Sequence, residues 1–239
     1  MAEPQPACPP DLSVVVPVYN EVATLAQIVE KVLALPVSVE VLLVDDGSTD
    51  GSGALCDELA ARHPGVVRAF HLERNRGKGA AVRTGIAAAT GRAVVVQDAD
   101  LEYDPEDLVR LLHEMDRRGT PVIYGSRRLH HRSKTAQARY YWGGVLVTWV
   151  TNLLYGARLT DEPTCYKMWR RELIQSIPLE CDGFEFCPEV TAKVLRRGHR
   201  IPEIQIRYTP RSIHEGKKIR VRDGWKAIWT LLRLRFGKA

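Results

Sequence analysis

The chain has 239 residues, 45% of them hydrophobic and 26% charged, with a formal net charge of +5 at pH 7. This composition fits one large α/β domain and excludes a disordered chain. It also excludes a conventional membrane-spanning helix, since no uninterrupted apolar run reaches about 18–20 residues. Residues 1–120 carry 19 Asp+Glu and 11 Lys+Arg, whereas residues 121–239 carry 10 and 23. An acidic half followed by a basic half indicates a cation site and then an anion site.

The chain begins with a proline-rich tail that lacks the apolar core of a signal peptide, so we predict a flexible segment over residues 1–11. Beyond it, short apolar runs predict five strands, at residues 12–18, 39–44, 66–72, 92–97 and 121–125. Helical patterns lie between them, at residues 20–35, 51–62, 79–89 and 105–118. This repeat is typical of a mainly parallel sheet with helices on both faces, which binds ligands at the carboxyl ends of its strands.

The pattern changes after residue 125. Residues 126–139 form a basic loop, and residues 140–155 form an apolar, aromatic stretch that is too short to span a bilayer. A strand, a helix and a second strand are predicted at residues 162–169, 184–197 and 201–208. Residues 211–239 mix basic side chains with tryptophan and leucine, as helices that lie on a membrane surface do.

Five cysteines are spread along the chain without a CxxC spacing. An odd number at such spacings favours free thiols over a disulfide framework or a zinc site. The cysteine pattern therefore indicates a reducing cytoplasm.

Three carboxylates follow the fourth predicted strand: Asp98, Asp100 and Glu102. Alternating carboxylates at a strand end can converge on one divalent cation, and Mg²⁺ prefers a few carboxylates together with substrate phosphates. The alternative is a solvated acidic turn before a helix, where acidic side chains favour the positive end of the helix dipole.

Three other motifs follow strand ends or precede helices. Asp45 and Asp46 follow the second strand and can accept hydrogen bonds from a base and a ribose, or they can belong to a turn in which Ser48 or Asp50 caps a helix. Tyr19 follows the first strand, where its ring can stack on a base. The segment Asn75-Arg76-Gly77-Lys78-Gly79 places glycines and cations before a helix, an arrangement that can cradle a diphosphate.

Taken in order, the motifs are PVYNE, VDDGSTDGS, NRGKGAAVRTG and QDADLEYDPEDL. This set resembles the family 2 glycosyltransferases of the GT-A fold, from about residue 12 to residue 208. The resemblance implies an α/β GT-A domain over residues 12–210, with a nucleotide-sugar half at 12–125 and an acceptor half at 126–210. It implies that Mg²⁺ or Mn²⁺ is held by Asp98 and Asp100, with Glu102 as a third ligand. The implied nucleotide-sugar-binding residues are Pro17, Tyr19, Glu21, Asp45, Asp46, Lys78, Asp98 and Ala99.

The second half resembles the polyprenyl-phosphate sugar transferases within that family. The similarity lies in Gly125-Ser126-Arg127, in Thr160-Asp161-Glu162-Pro163-Thr164, and in the basic residues near 211–218. It implies that cations grip the phosphate of a polyprenyl phosphate acceptor, and these are Arg127, Arg139, Arg211 and Lys217. Cys165-Tyr166-Lys167 departs from the Gly-Phe-Arg that is common in this group.

The chemistry of the acceptor fits the basic half. A hydroxyl acceptor needs a general base, whereas a phosphate monoester carries about −1.5 to −2 charge at pH 7 and can attack directly. Arginine suits the task of positioning it against an anionic donor. We therefore predict an inverting transfer in which Asp98, Asp100, Arg127 and Asp161 are catalytic. The alternative is a family 2 enzyme that acts on a sugar hydroxyl, with Asp161 as its base.

The expected partners are a GDP- or UDP-sugar, a polyprenyl phosphate and a membrane surface, with the protein peripheral on the cytoplasmic face. A homo-oligomer stays open, because the aromatic stretch at 140–155 can also pack as core or as a dimer interface. A sugar-nucleotide nucleotidyltransferase is disfavoured, since it normally has a Gly-rich loop where this chain has PVYNE. A non-enzymatic sensor is disfavoured by the intact carboxylates, and no nucleic-acid-binding motif accompanies the basic charge.

Overall fold

The computed structural model describes residues 9–129, 138–210 and 221–237. Seven strands form one sheet: β1 (Leu12–Val18), β2 (Val39–Asp45), β3 (Val67–His71), β4 (Ala93–Val96), β5 (Val122–Ser126), β6 (Lys167–Arg170) and β7 (Glu203–Gln205). The helices are α1 (Leu25–Leu33), α2 (Ser52–Arg62), α3 (Lys78–Ala88), α4 (Glu106–Arg118), α5 (Ala138–Tyr155), α6 (Arg171–Gln175), α7 (Phe186–Arg196) and α8 (Val221–Phe236).

The centre of the core is formed by strands that are apolar on both faces. Val14, Val15 and Val16 of β1 are fully buried, and all four residues of β4 are buried as well. A strand covered by helices on both sides has no solvated face, so it reads as a continuous apolar run rather than as an alternating one. These are the runs from which the sequence predicted the strands.

The strands lie in the order β3-β2-β1-β4-β6-β5-β7, and β6 alone runs antiparallel to its neighbours in the described sheet. The carboxyl ends of the other six strands therefore share one edge with the amino-terminal end of β6. The predicted mainly parallel α/β sheet is confirmed, and strands from both predicted halves belong to it.

Two helices show how the layers meet the sheet. α1 buries Leu25, Ile28, Val29 and Val32, which is the i, i+3, i+4, i+7 stripe of an amphipathic helix. α3 approaches β1 closely at Gly85, where a Cβ atom would lie 2.3 Å from a methyl group of Val15. Glycine at this position is what allows the helix to lie flat on the central strand.

Several predicted boundaries were wrong. The helix predicted over 20–35 begins at Leu25, because residues 20–22 instead bond to the Ser48–Ser52 turn. The strand predicted over 162–169 is confined to β6, and the strand predicted over 201–208 is confined to β7. The short helix α6 had no counterpart in the prediction. The basic loop was predicted over 126–139, but residues 138 and 139 belong to α5, and residues 130–137 lie outside the described part of the chain.

The two helices α5 and α8 pack against each other and against α7 through Val147, Ala192, Ala227 and Leu231. Both helices also leave large apolar side chains in solvent, and these are Trp142, Leu146, Trp149, Leu153, Trp225, Trp229 and Phe236. The alternative that places the aromatic stretch at 140–155 in the core is therefore wrong for these four α5 side chains. Within the described residues, no helix has both the length and the apolar character needed to cross a membrane.

Candidate active site at the strand ends

The predicted motifs meet at the shared edge of the sheet. The loops after β1, β2 and β4 lie side by side there because these three strands are adjacent and parallel. The loop after β5 reaches the same edge, and so does the segment that leads into β6. Sequence reasoning placed the acidic motifs at this edge correctly, and the reversed direction of β6 adds residues 161–166 to it.

The first two motifs are bound to each other by hydrogen bonds from backbone amides to side-chain oxygens. The Asn20 amide donates to Ser48 Oγ at 3.0 Å, and the Thr49 amide donates to Asn20 Oδ1 at 2.8 Å. The Glu21 amide donates to Ser52 Oγ at 2.9 Å. Pro17, Tyr19 and Glu21 are all partly exposed around this junction. The side chains implied for nucleoside binding thus border a preformed double loop.

Asp46 joins the second motif to the glycine-rich loop. Its carboxylate accepts hydrogen bonds from the amides of Arg76 at 2.7 Å and Gly77 at 2.8 Å. Burial raises the pKa of the Asp46 carboxyl group. Gly47 allows the two loops to touch, since it has a φ of +69° and a Cβ there would lie 2.7 Å from the Asn75 amide nitrogen. Asp46 therefore orients the loop that precedes α3 rather than pointing at open space.

Asp45 is buried and is occupied within its own loop. One of its oxygens accepts a hydrogen bond from the Ser48 amide at 3.1 Å, and the other lies 3.4 Å from Nδ1 of His71. The second ring nitrogen of His71 lies 2.8 Å from Asp57, and this hydrogen bond raises the pKa of His71. Asp45 thus fixes the loop that follows β2 through Ser48 and links it to His71 of β3, a partner that sequence reasoning missed.

Lys78 and Asp98 form an ion pair where the glycine-rich loop meets the end of β4. The Lys78 Nζ and Asp98 Oδ1 atoms are 2.6 Å apart. Burial by itself lowers the pKa of Lys78, but the Asp98 carboxylate outweighs it and raises this pKa well above its usual value. The structure therefore brings together two residues that the sequence assigned to one donor site, and Ala99 beside them is buried.

Asp100 and Glu102 lie in the turn that follows. Asp100 Oδ1 accepts a hydrogen bond from the Glu102 amide at 3.1 Å, and Leu101 between them has a φ of +60°. Glu102 Oε2 accepts a hydrogen bond from the Tyr208 hydroxyl at 2.7 Å. Tyr208 also pairs with Tyr103 through an antiparallel backbone bridge. The segment that directly follows β7 is thereby bound to the turn that follows β4.

These carboxylates fit a divalent cation that shares its coordination with a ligand. Across the described ranges, no three His, Cys, Asp or Glu side chains converge closely enough to form a complete metal site. Mg²⁺ is commonly held by one or two carboxylates together with substrate phosphates and water. Asp98 and Asp100 could supply hard oxygen donors to such a site, although Asp98 is paired with Lys78 in this structure and one Glu102 oxygen accepts a hydrogen bond from Tyr208.

Arg127 and Asp161 form a bidentate pair on the acceptor side. Arg127 Nε donates to Asp161 Oδ2 at 2.7 Å, Nη2 donates to Oδ1 at 2.8 Å, and the Arg127 amide donates to Oδ2 at 3.0 Å. Asp161 is fully buried, which by itself raises its pKa, but Arg127 outweighs this and lowers the pKa below its ordinary value. In this conformation Asp161 anchors a cation, and both of its oxygens are occupied.

A supporting network around this pair was missed by sequence reasoning. Glu203 accepts hydrogen bonds from the amides of Thr160 at 2.7 Å and Asp161 at 3.1 Å, so it fixes the backbone that carries Asp161. The Arg127 guanidinium lies 5.0 Å from the centre of the Tyr208 ring. Glu203 and Tyr208 lie in short elements without a motif, so the sequence offered no signal for either.

Residues 181–183 are a second missed contribution, on the donor side. A Cβ on Gly77 would lie 2.5 Å from the Asp182 carbonyl oxygen, and one on Gly79 would lie 2.4 Å from that of Cys181. The Ala80 amide donates to the Asp182 carbonyl at 3.1 Å. Gly77 and Gly79 therefore allow the glycine-rich loop to pack against the backbone of residues 181–183, in addition to leaving room for a phosphate group.

The other predicted phosphate-binding residues cannot be located in the same way. Arg139 lies in the first turn of α5, but its side chain is outside the described part of the structure. Arg211 and Lys217 lie outside the described residues altogether. Their roles stay predictions.

The sheet, with carboxylates after β4 and a glycine-rich loop beside them, has the GT-A fold of glycosyltransferases. Residues 13–177 match the family described as Glycosyl transferase family 2. The chain belongs to glycosyltransferase family 2 and is a glycosyltransferase.

Three curated relatives match most of the chain. Polyprenol monophosphomannose synthase of Mycolicibacterium smegmatis is 32% identical over 85% of this chain and 79% of its own length. Undecaprenyl-phosphate mannosyltransferase of Micrococcus luteus is 30% identical over 93% of this chain and 98% of its own. Dodecaprenyl-phosphate galacturonate synthase of Rhizobium johnstonii is 30% identical over 95% of this chain and 67% of its own.

Solved structures confirm the fold. Glucosyl-3-phosphoglycerate synthase from Mycobacterium tuberculosis, in complex with Mn²⁺, uridine diphosphate and phosphoglyceric acid, has a TM-score of 0.70 at 22% identity, covering 96% of this chain and 80% of its own. A complex of the same enzyme with Mg²⁺ and uridine diphosphate has a TM-score of 0.64 at 22% identity, covering 95% of this chain and 79% of its own.

Proposed function

We propose that this glycosyltransferase moves a sugar from a nucleotide-sugar donor to a polyprenyl phosphate and inverts the anomeric carbon in a single displacement. The observation that carries the proposal is the Arg127–Asp161 pair, which puts a fixed cation on the acceptor side of the site. The same pair occupies the carboxylate that a hydroxyl-transferring enzyme would use as its base. All three curated relatives described above carry names that specify polyprenol or polyprenyl phosphate acceptors.

The charge of the acceptor explains why a cation can replace a base. A hydroxyl group must lose its proton as it attacks, whereas a phosphate monoester is already an anion and needs only to be held in line. Arg127 is held rigidly for this task because Asp161 binds one edge of its guanidinium and the Tyr208 ring covers a face. Arg139, Arg211 and Lys217 are proposed to complete the phosphate site.

On the donor side, Asp98 and Asp100 are proposed to hold Mg²⁺ or Mn²⁺, with Glu102 as a further ligand after release of Tyr208. A divalent cation bound there would neutralise the leaving nucleoside diphosphate as a Lewis acid. Lys78 would add a second positive charge after exchanging its Asp98 contact for a phosphate oxygen. Pro17, Tyr19, Glu21, Asp45 and Asp46 are proposed to form and support the nucleoside pocket, for which GDP and UDP are the expected donor nucleotides.

The acceptor phosphate should be indispensable. With a panel of GDP- and UDP-sugars and Mn²⁺, we expect transfer to a short polyprenyl phosphate and none to the matching polyprenol, which lacks both the charge and the ready nucleophile. Arg211→Ala should reduce kcat/KM for the acceptor about 10- to 150-fold, because a charge-assisted hydrogen bond contributes about 1.5–3 kcal/mol. Radiolabelled product formation measures both effects.

The control for this experiment is Arg117→Ala, which removes an exposed arginine paired with Glu114 on α4. It should change neither the preference for the phosphorylated acceptor nor the kcat/KM for it. Calorimetry with the nucleoside diphosphate and Mn²⁺ should give the same affinity for Arg211→Ala as for the unmodified chain. The proposal would be contradicted if Arg211→Ala weakened donor binding as much as it lowered kcat/KM for the acceptor. Glycosylation of free polyprenol would also contradict it and would favour a hydroxyl acceptor.

The exposed apolar residues of α5 and α8 are proposed to contact the lipid surface that carries the acceptor, on the cytoplasmic face of the membrane. On α5 they recur at helical spacing, and Trp142, Trp149 and Leu153 are each at least 60% exposed. On α8, exposed Lys226, Arg233 and Arg235 lie among the tryptophans. Basic side chains near an anionic leaflet each contribute about 1 kcal/mol.

Replacing Trp142 and Trp149 together by Ser is expected to weaken binding to anionic vesicles at least about tenfold, since burying a large apolar side chain contributes about 1.5–3 kcal/mol. Vesicle co-sedimentation measures this, and Val66→Ser provides a control at an exposed apolar residue on a different element. Unchanged vesicle binding, together with loss of a dimer in sedimentation velocity, would assign these residues to a homo-oligomer interface instead.

A further inference from the structure

Arg128, the residue after the anchored Arg127, is a buried cation with unused hydrogen-bonding capacity. Only 10% of its side chain is exposed, yet neither Nε nor Nη1 has a hydrogen-bond partner within the described part of the chain. Guanidinium stays protonated in proteins, and a buried charge without partners is costly. An anion bound beside Arg128 would complete the hydrogen bonding of these two nitrogens.

The nearby carboxylate does not meet this need. Asp161 Oδ1 lies 4.0 Å from Arg128 Nε, and that oxygen is engaged at 2.8 Å by Nη2 of Arg127. Burial lowers the pKa of Arg128 and the neighbouring Arg127 lowers it further, and the opposing effect of Asp161 does not restore it. The cluster of Arg127, Arg128 and Asp161 thus carries an excess positive charge on the acceptor side.

The start of α5 covers Arg128 through weak contacts from Tyr141. Its Nη2 donates to the Tyr141 carbonyl at 3.4 Å, and the guanidinium lies 4.9 Å from the centre of the Tyr141 ring. Helix α5 approaches this closely because residue 144 is glycine, where a Cβ would lie 2.6 Å from Nη2. The start of the helix that bears Trp142 therefore rests directly on a guanidinium whose Nε and Nη1 atoms have no hydrogen bond within the described residues.

We propose that Arg128 is a further recognition residue for the acceptor phosphate, which completes the hydrogen bonding of its unpaired nitrogens when the Tyr141 end of α5 moves away. This inference rests on the proposed transfer to a polyprenyl phosphate. Under this proposal, the two adjacent arginines have different roles. Arg127 is fixed by Asp161, and Arg128 is free to engage the incoming anion.

Steady-state kinetics with a short polyprenyl phosphate test this inference in Arg128→Gln and Arg128→Lys, with Arg117→Ala as control. For Arg128→Gln we expect the acceptor KM to rise about 10- to 150-fold at unchanged donor KM, by loss of a charged hydrogen bond. Arg128→Lys should recover part of the loss, because it restores the charge. A merely structural Arg128 would lower the unfolding temperature and kcat without raising the acceptor KM specifically, and that result would overturn the inference.

A second measurement separates this inference from the proposed function. Inorganic phosphate at millimolar concentration should raise the unfolding temperature of the unmodified chain more than that of Arg128→Gln, since a ligand of the folded state stabilises it. If the unmodified chain does not glycosylate polyprenyl phosphate, the proposed function fails while this comparison still tests Arg128. An equal phosphate response in both proteins would overturn the anion-binding role.

Discussion

Replacing Asp100 by Asn is expected to reduce sugar transfer at least about 100-fold, because losing even an outer-shell partner of a metal site typically costs 10–100-fold and Asp100 is proposed as a direct ligand. The unfolding temperature should stay unchanged. Asp100 Oδ1 accepts a hydrogen bond from the Glu102 amide, and the side-chain carbonyl oxygen of Asn can accept the same bond. Rates at saturating Mn²⁺, together with thermal unfolding, measure the two quantities.

A matched control lies four residues further along the chain. Asp104 Oδ1 accepts a hydrogen bond from the Glu106 amide at 3.1 Å, which is the same local geometry, but no metal role is assigned to it. Asp104→Asn should therefore transfer sugar at nearly the normal rate. Near-normal activity of Asp100→Asn in excess Mn²⁺ would remove Asp100 from the metal site. Activity of the thoroughly demetallated protein would count against the metal site as a whole.

Removing Asp161 is expected to destabilise the fold by about 3–5 kcal/mol, the usual cost of breaking a buried ion pair on one side. Asp161→Ala leaves Arg127 and Arg128 without a carboxylate, and both are largely buried. For a chain of this size the unfolding temperature should fall by about 6–20 °C, at 2–4 °C per kcal/mol. Thermal unfolding followed by circular dichroism measures the change.

Asp116→Ala is the comparison for this effect, since Asp116 pairs with Arg92 and Arg170 in half-exposed surroundings. Exposed ion pairs contribute about 0–1 kcal/mol, so its unfolding temperature should change little. If Asp161→Ala is as stable as Asp116→Ala, the anchoring role is wrong. A different outcome would support the alternative mechanism. If the unmodified chain transfers sugar to a hydroxyl acceptor with a carboxylate-controlled pH profile, and Asp161→Ala loses that transfer, Asp161 is the base.

The sequence predicted the donor half well because its signals are local. The buried strands β1, β2 and β4 are mostly apolar runs, and each acidic motif lies at or just after the end of one of them. Parallel neighbours then bring these motifs to one edge without any further information. The start of α1 was misplaced because Asn20, with a φ of 53°, takes part in a contact with the next loop that no local pattern reveals.

The acceptor half was less predictable because its contacts join distant segments. The strand predicted over 162–169 begins only at Lys167, and the Nζ atom of this buried lysine lies 3.6 Å from the carboxylate of Glu162, five residues earlier. The pairing of Arg127 with Asp161 and of Glu203 with the Thr160 and Asp161 amides depends on the reversed direction of β6, which residue types alone do not specify.

Because β6 lies between β4 and β5, its register sets the distance between the loops that leave these strands. Its pairing with three residues of β4 fixes how far the turn at Asp98–Glu102 lies from the segment that carries Asp161. A slip by one residue would shift that segment by about 3.3 Å and turn every β6 side chain to the opposite face. An insertion or deletion in the segment at 161–166 would therefore move Asp161, and with it Arg127, relative to the loop after β4.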